Sequence, residues 1–254
     1  MRRFGQFTGL FITITILMML FGCQAKSAYS FENPDIFAYI NGEPVYESQK
    51  DTYVEMKKAY YSDILNSIQK NEEADVAESD LYNEMLGKTY ETELNRMRNI
   101  VSYSDEEWQK DYLRTFIIEK QLYGFVGEKK DSFSEFENST IDTAVQDALH
   151  PNGVKLDIYN VASLNVEDVI NRVSEKSNMS YEDCANTVYA DFVKREFQYQ
   201  YLSYYFAGSE FQGDKIEWNG TNVKEYTAYM LNVTSQYEDY LTRLLESADI
   251  VMRQ

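Results

Sequence analysis

Histidine occurs once in this chain, at His150, cysteine twice, at Cys23 and Cys184, and proline three times in 254 residues. Each scarcity excludes something. With so few histidines and cysteines, no zinc site of ordinary composition can be assembled. A Ser-His-Asp or Cys-His catalytic set would have to use His150, which stands in the turn His150-Pro151-Asn152-Gly153, and the sequence has no Gly-x-Ser-x-Gly elbow. It also has no Gly-x-x-x-x-Gly-Lys-Ser/Thr and no Gly-x-Gly-x-x-Gly run, so nucleotide binding has no signal. Carboxylate pairs of the glycosidase kind arise by chance in so acidic a chain, and nothing singles one out. No catalytic residue, metal ligand or cofactor is expected.

Basic residues are also in the minority: 24 Lys and Arg stand against 42 Asp and Glu, a formal net charge of −18. Phosphate backbones and anionic lipid surfaces are held by basic groups, which argues against nucleic acid as a partner and against membrane adhesion through charge. Acidity of this size gives solubility by self-repulsion and favours basic polypeptide partners. What the chain does have is aromatic material, 22 Tyr and 14 Phe, and few helix breakers, with 11 Gly and 3 Pro. That balance suits long helices better than a β-sandwich.

The N-terminus carries a targeting pattern. Arg2 and Arg3 precede an apolar run, Leu10 to Phe21, too short for a comfortable membrane span. It ends Leu20-Phe21-Gly22-Cys23, which resembles a bacterial lipobox, although Phe21 stands where a small or β-branched residue is usual. The resemblance implies cleavage before Cys23 and lipid on its sulfur. The expected organisation is a lipoprotein signal peptide over 1–22, a polar tether over 23–34 and one helical domain over 35–254. The chain is then held at the cell membrane, facing the extracytoplasmic side. Cys184 is left without a cysteine partner, and Ala185 and Val188 beside it mark an apolar helical face, so a buried inert thiol is expected. The four Asn-x-Ser/Thr sequons are taken as coincidence in such a protein.

Ile36–Ile40 is a short apolar strand, followed by the turn pair Asn41-Gly42, Pro44, and a helix from about Glu47 to Ile68 that Ser48 can cap. Residues 71–80 form an acidic loop without the spacing of a calcium loop. A second helix runs over about 79–98. The third opens at Ser104 with Glu107 three residues on, a capping box, and carries Trp108, Tyr112, Phe116 and Tyr123 in one stripe. Residues 127–133 are expected to be a break, with Ser134-x-x-Glu137 opening a weaker helix to Leu149. Residues 154–161 alternate like one strand, 165–177 are helical, and Ser180 opens the longest helix, to about Ala207. After a loop over 208–220, a last helix over 221–247 leads to a terminal strand at 248–252. No internal repeat is evident.

Three of these stretches, Ile36–Lys58, Ile100–Trp108 and Asn178–Asp183, resemble in order the SurA/PrsA-type N-terminal chaperone domain. There a strand ends in Asn-Gly-Glu, a helix follows, a later helix opens with Ser-Asp-Glu-Glu, and an Asn-Met-Ser-x-Glu turn precedes a long helix. The resemblance implies a mostly α fold, SurA-N-like, with Asp249–Met252 pairing beside Ile36–Ile40. The parvulin isomerase module of that group has no counterpart here. The expected function is that of a membrane-anchored holdase for unfolded exported polypeptides, without isomerase chemistry. The alternative is an envelope lipoprotein that docks one folded partner, and a degenerate prolyl isomerase stands third.

The candidate client surface lies on the longest helix. One stripe is Ala185, Val188, Phe192, Tyr199, Leu202 and Phe206; a second, spaced by four, is Val193, Phe197, Tyr201 and Tyr205. A helix apolar on two faces is either buried on both or leaves one partly open. The second stripe is the candidate for binding unfolded segments.

Overall fold

A computed structural model describes residues 29–73, 94–150, 156–158, 162–217 and 219–253. The signal peptide, Cys23, most of the acidic loop and of the second helix, the Pro151-Asn152-Gly153 turn and Trp218 lie outside the described residues.

The chain is mostly helical with a small antiparallel sheet built from its two ends. Strand β1 (Ile36–Ile40) turns through Asn41 and Gly42, with φ of 50° and 88°, into β2 (Glu43–Tyr46). Positive φ at both positions is the turn that matches strand twist, which is why Asn-Gly stands there. Sequence alone did not show that residues 43–46 pair; Pro44, opposite Tyr39, is tolerated because β2 is an edge. On the other side of β1, β5 (Ile250–Met252) pairs Ala38 with Met252 and Ile40 with Ile250, so the expected closure of the termini is borne out. Arg253 extends it: its N–H donates to the Phe37 carbonyl at 2.9 Å and its guanidinium to the carbonyls of Phe31, Asn33 and Pro34.

Helix α1 (Glu47–Glu73) begins where expected but is capped differently. Ser48 does not serve as the cap. Asp35 accepts both the Ser48 N–H, at 2.9 Å, and its hydroxyl, at 2.7 Å, while the Asp35 carbonyl accepts the Glu47 N–H at 2.7 Å. Two of the first-turn donors are thus satisfied from across the hairpin. The helix also runs past Ile68, so 71–73 are helical and not loop. Tyr53, Met56, Tyr61, Ile64 and Ile68 form its buried stripe.

A helical stretch over 94–101 (α2) buries Leu94 and Ile100. Helix α3 (Asp105–Val126) has the expected capping box, with Ser104 accepting from the Glu107 N–H and Glu107 from the Ser104 N–H. The expected break at 127–133 is only a 3-10 turn, Gly127–Lys129, before α4 (Lys130–Leu149). Ser134-x-x-Glu137 is therefore inside a helix, not at its start, and Glu137 is buried. Within the expected strand at 154–161, the described residues form β3 (Leu156–Ile158), and it pairs antiparallel with β4 (Ala162–Leu164), a partner the sequence did not show.

Helix α5 (Val166–Ser177) ends at left-handed Asn178, φ 52°, and Ser180 caps α6 (Tyr181–Cys184) by accepting from the Asp183 N–H at 3.0 Å. The chain passes through a π turn, Ala185–Tyr189, into α7 (Ala190–Ser209). Helix α8 (Val223–Ser247) returns to the sheet.

Among the described residues the apolar interior forms two clusters. The first gathers Ala38, Val45, Met56, Tyr112, Ile170, Cys184 and Phe192 around the sheet, α1, α5 and the π turn. The second gathers Leu122, Phe133, Leu202, Phe206, Phe211, Tyr237 and Leu241 from α3, α4, α7 and α8. Phe211, in the loop after α7, folds back into this second cluster.

Candidate functional site

Residues of both clusters border a charged layer centred on buried Lys57 and Asp111, with partly exposed partners around them. Lys57 of α1 places Nζ 2.8 Å from Asp111 Oδ2 on α3 and 3.4 Å from Glu196 on α7, and donates to the Tyr53 hydroxyl at 2.9 Å. Arg114 of α3 bridges Asp111 at 3.5 Å and Glu238 of α8 at 2.7 Å. Arg195 holds Asp191 at 2.7 Å and lies over the Tyr112 and Phe116 rings. Glu196 also accepts from the Tyr61 hydroxyl at 2.8 Å. Burial opposes charge on Lys57, but Asp111, Tyr53 and Glu196 more than reverse it, and its pKa stands well above the ordinary value. Burial likewise opposes the Asp111 carboxylate, and Lys57 and Arg114 pull it below the usual range. The space left among these groups is about 20 Å³, room for no more than one water. With each charge partnered and no room for a ligand, the layer joins four helices rather than forming a binding cavity.

The second stripe of the long helix behaves differently. Leu202 and Phe206, with Phe192, are buried, whereas Val193, Phe197, Tyr201 and Tyr205 are only partly covered. Phe197, Tyr201 and Tyr205 form a ladder with 5.5 Å between successive rings. Helix α4 lies beside it and adds two rings the sequence reading did not pick out. Phe133 sits 5.0 Å from Tyr201 and is buried; Phe136 sits 5.5 Å from Phe197 and is 53% exposed. Helix α3 contributes Phe125, stacked on Tyr205 at 6.1 Å. Tyr204, one residue before Tyr205, is 74% exposed. Val193 does not join the ladder; it packs against the first apolar cluster.

Beneath the ladder, Glu137 is 3% exposed and accepts from the Tyr123 hydroxyl at 2.9 Å and from Gln198 Nε2 at 2.7 Å. Burial and the bond to Glu137 push the Tyr123 hydroxyl further up from its ordinary value. Periodicity could have found Phe133 and Phe136, three apart on one helix. The expected break at 127–133 hides Phe133 and with it the i, i+3 pairing to Phe136, which by itself is a single apolar residue in an otherwise polar helical turn.

No protein-family model, curated protein or solved structure matches the chain.

His150 is exposed at the C-terminal end of α4, away from the ladder's partners. Cys184 is fully buried, and burial pushes its thiol up to about 11. Among the described residues there is no cluster of three or more potential metal ligands, and no helix is long and apolar enough to cross a membrane. A cleft of about 440 Å³ between α1, the start of α3 and the end of α5 is lined by Lys50, Lys58 and Lys176 but also by Asp51, Glu55 and Asp105, so its charges balance. The partly open aromatic ladder is the feature best suited to function. Ring faces give contact area at little cost in side-chain entropy and make little demand on partner sequence.

Proposed function

We propose that this chain is a lipid-anchored extracytoplasmic chaperone of the holdase type, which binds unfolded exported polypeptides through the aromatic face of α7 and α4. The single observation that carries the reading is the half-open ladder Phe197–Tyr201–Tyr205, extended by exposed Phe136 and Tyr204. An apolar face that the fold neither buries nor breaks with charge is a place for another chain. The sequence resemblance of Ile36–Lys58, Ile100–Trp108 and Asn178–Asp183 to the SurA/PrsA group supports the same reading, and the lipobox-like Leu20–Cys23 supports the anchor. Binding is by apolar and aromatic contact and needs no bond-making chemistry.

The test is light scattering from a chemically unfolded client, with and without the chain from Gln24 onward, which retains every described residue. Suppression at near-equimolar ratio, weakened in a Phe136→Ala/Tyr204→Ala variant, is the expected result. Both substituted side chains are exposed, so the variant keeps its fold. No suppression across several unrelated clients would sink the proposal and favour a module that docks one folded partner. The anchor is tested separately: incorporation of labelled fatty acid is expected in the full chain and lost in Cys23→Ala.

A further inference from the structure

The ladder is uncharged along its own helix and flanked by acid on the neighbouring one. From Phe197 to Ser209, α7 carries no charged residue. Helix α4 carries five acids, Asp131, Glu135, Glu137, Asp142 and Asp147, against the one base Lys130. Asp131, Glu135 and Asp142 follow one another at helical spacing, about a third of a turn round from Phe136. A shallow open trough along α4 is lined by Glu135, Asp142 and Asp147 and by no lysine or arginine. Under the rings, the two donors that Glu137 accepts from are neutral side chains; the nearby Lys194 pairs with Glu119 instead, at 2.5 Å. The ring faces themselves carry negative potential. The molecule already uses this: Lys130 Nζ sits 4.8 Å from the centre of the Tyr123 ring.

From this juxtaposition we infer that the α4–α7 face selects polypeptide segments in which lysine or arginine flanks an apolar stretch. The apolar stretch lies along Phe197, Tyr201 and Tyr205, and the cations reach the Glu135–Asp142 side of α4. The inference rests on the holdase reading and adds a charge preference to it.

The probes are three fluorescent unstructured peptides with one shared leucine- and valine-rich centre and flanks of lysine and arginine, of glutamine, or of glutamate. Their binding to the chain from Gln24 onward is followed by anisotropy. The basic peptide is expected to bind about tenfold tighter than the glutamine peptide, and the glutamate peptide weakest. The preference is expected to shrink to within about twofold in roughly 0.5 M salt. A Glu135→Gln/Asp142→Asn variant, exposed at both positions, is expected to lose most of the preference while keeping its melting temperature. A control variant, Asp51→Asn/Glu106→Gln, removes the same charge elsewhere and is expected to keep it. Equal affinity for all three peptides would overturn the charge preference and leave the holdase standing. A preference lost equally in both variants would overturn its assignment to α4, because net charge alone would then explain it. Failure of every peptide together with failure to suppress aggregation would overturn both proposals.

Discussion

Lys57 and Asp111, 54 residues apart in sequence, meet at 2.8 Å with both side chains less than a tenth exposed. A buried pair of this kind is destabilising to break from one side, because the charge left out of water loses its shortest partner, and Glu196 at 3.4 Å from Lys57 offsets only part of that loss. Asp111→Asn is expected to cost about 3–5 kcal/mol in urea unfolding. Replacing both partners, as Lys57→Met/Asp111→Leu, is expected to cost much less. A double variant as unstable as the single one would show that the pair is worth more than its desolvation.

The same pair sets a pH window. Asp111 is held below its ordinary value of 3.8, so its contribution is complete above that pH and is lost as pH falls through the lower folded value. Lys57 is held above 10.5, so its contribution is complete below that pH and is lost as pH rises through the higher folded value. Melting temperature should therefore be insensitive to this pair between these limits and fall below about pH 4. Asp111→Asn should flatten the acid limb.

Leu122→Ala and Tyr204→Ala should separate core from face. Leu122 has no exposed surface, and its truncation is expected to cost about 2–5 kcal/mol through lost burial and the cavity left behind. Tyr204 is 74% exposed, and its loss is expected to change stability by no more than about 0.5 kcal/mol. Guanidinium unfolding of the two variants measures both.

Deleting residues 250–254 should loosen the other end of the chain. It removes the three pairs to β1 and the Arg253 bonds to Phe31, Asn33 and Pro34. Limited proteolysis is expected to cut within 29–46 in the truncated chain and to spare that segment in the intact one.

Cys184 should be silent to iodoacetamide at pH 8 until denaturant is added. It is fully buried, and a thiol pushed up to about 11 is almost entirely protonated at that pH. Reaction in the native state at the rate of a free thiol would show that the region around the π turn opens.

Helices, caps and the outer turns were legible in the residues themselves. Asn41-Gly42 shows its turn because both positions tolerate positive φ. Ser104 with Glu107, and Ser180, show helix starts because their side chains satisfy nearby N–H groups, and Asn178 shows a helix end because it tolerates positive φ. The two stripes of the long helix are visible as spacings of three and four. These are short-range effects, and short-range effects are written in neighbouring residues.

What depended on distant partners was not legible. Asp35 rather than Ser48 caps α1, because the hairpin folds its carboxylate onto the helix start. Glu137 reads like half of a capping box but is buried under the ladder, because Gly127–Lys129 turns the chain without ending the helical run. Residue spacing is enough to give α7 two apolar faces. Packing selects which one stays partly open: α1, α3 and α8 cover the Phe192–Leu202–Phe206 face, whereas the Phe197–Tyr201–Tyr205 face meets Phe133 and Phe136 of α4 and Phe125 of α3 and remains half-covered. Periodicity sets where apolar side chains point, whereas their exposure depends on how much surface neighbouring helices bring to them.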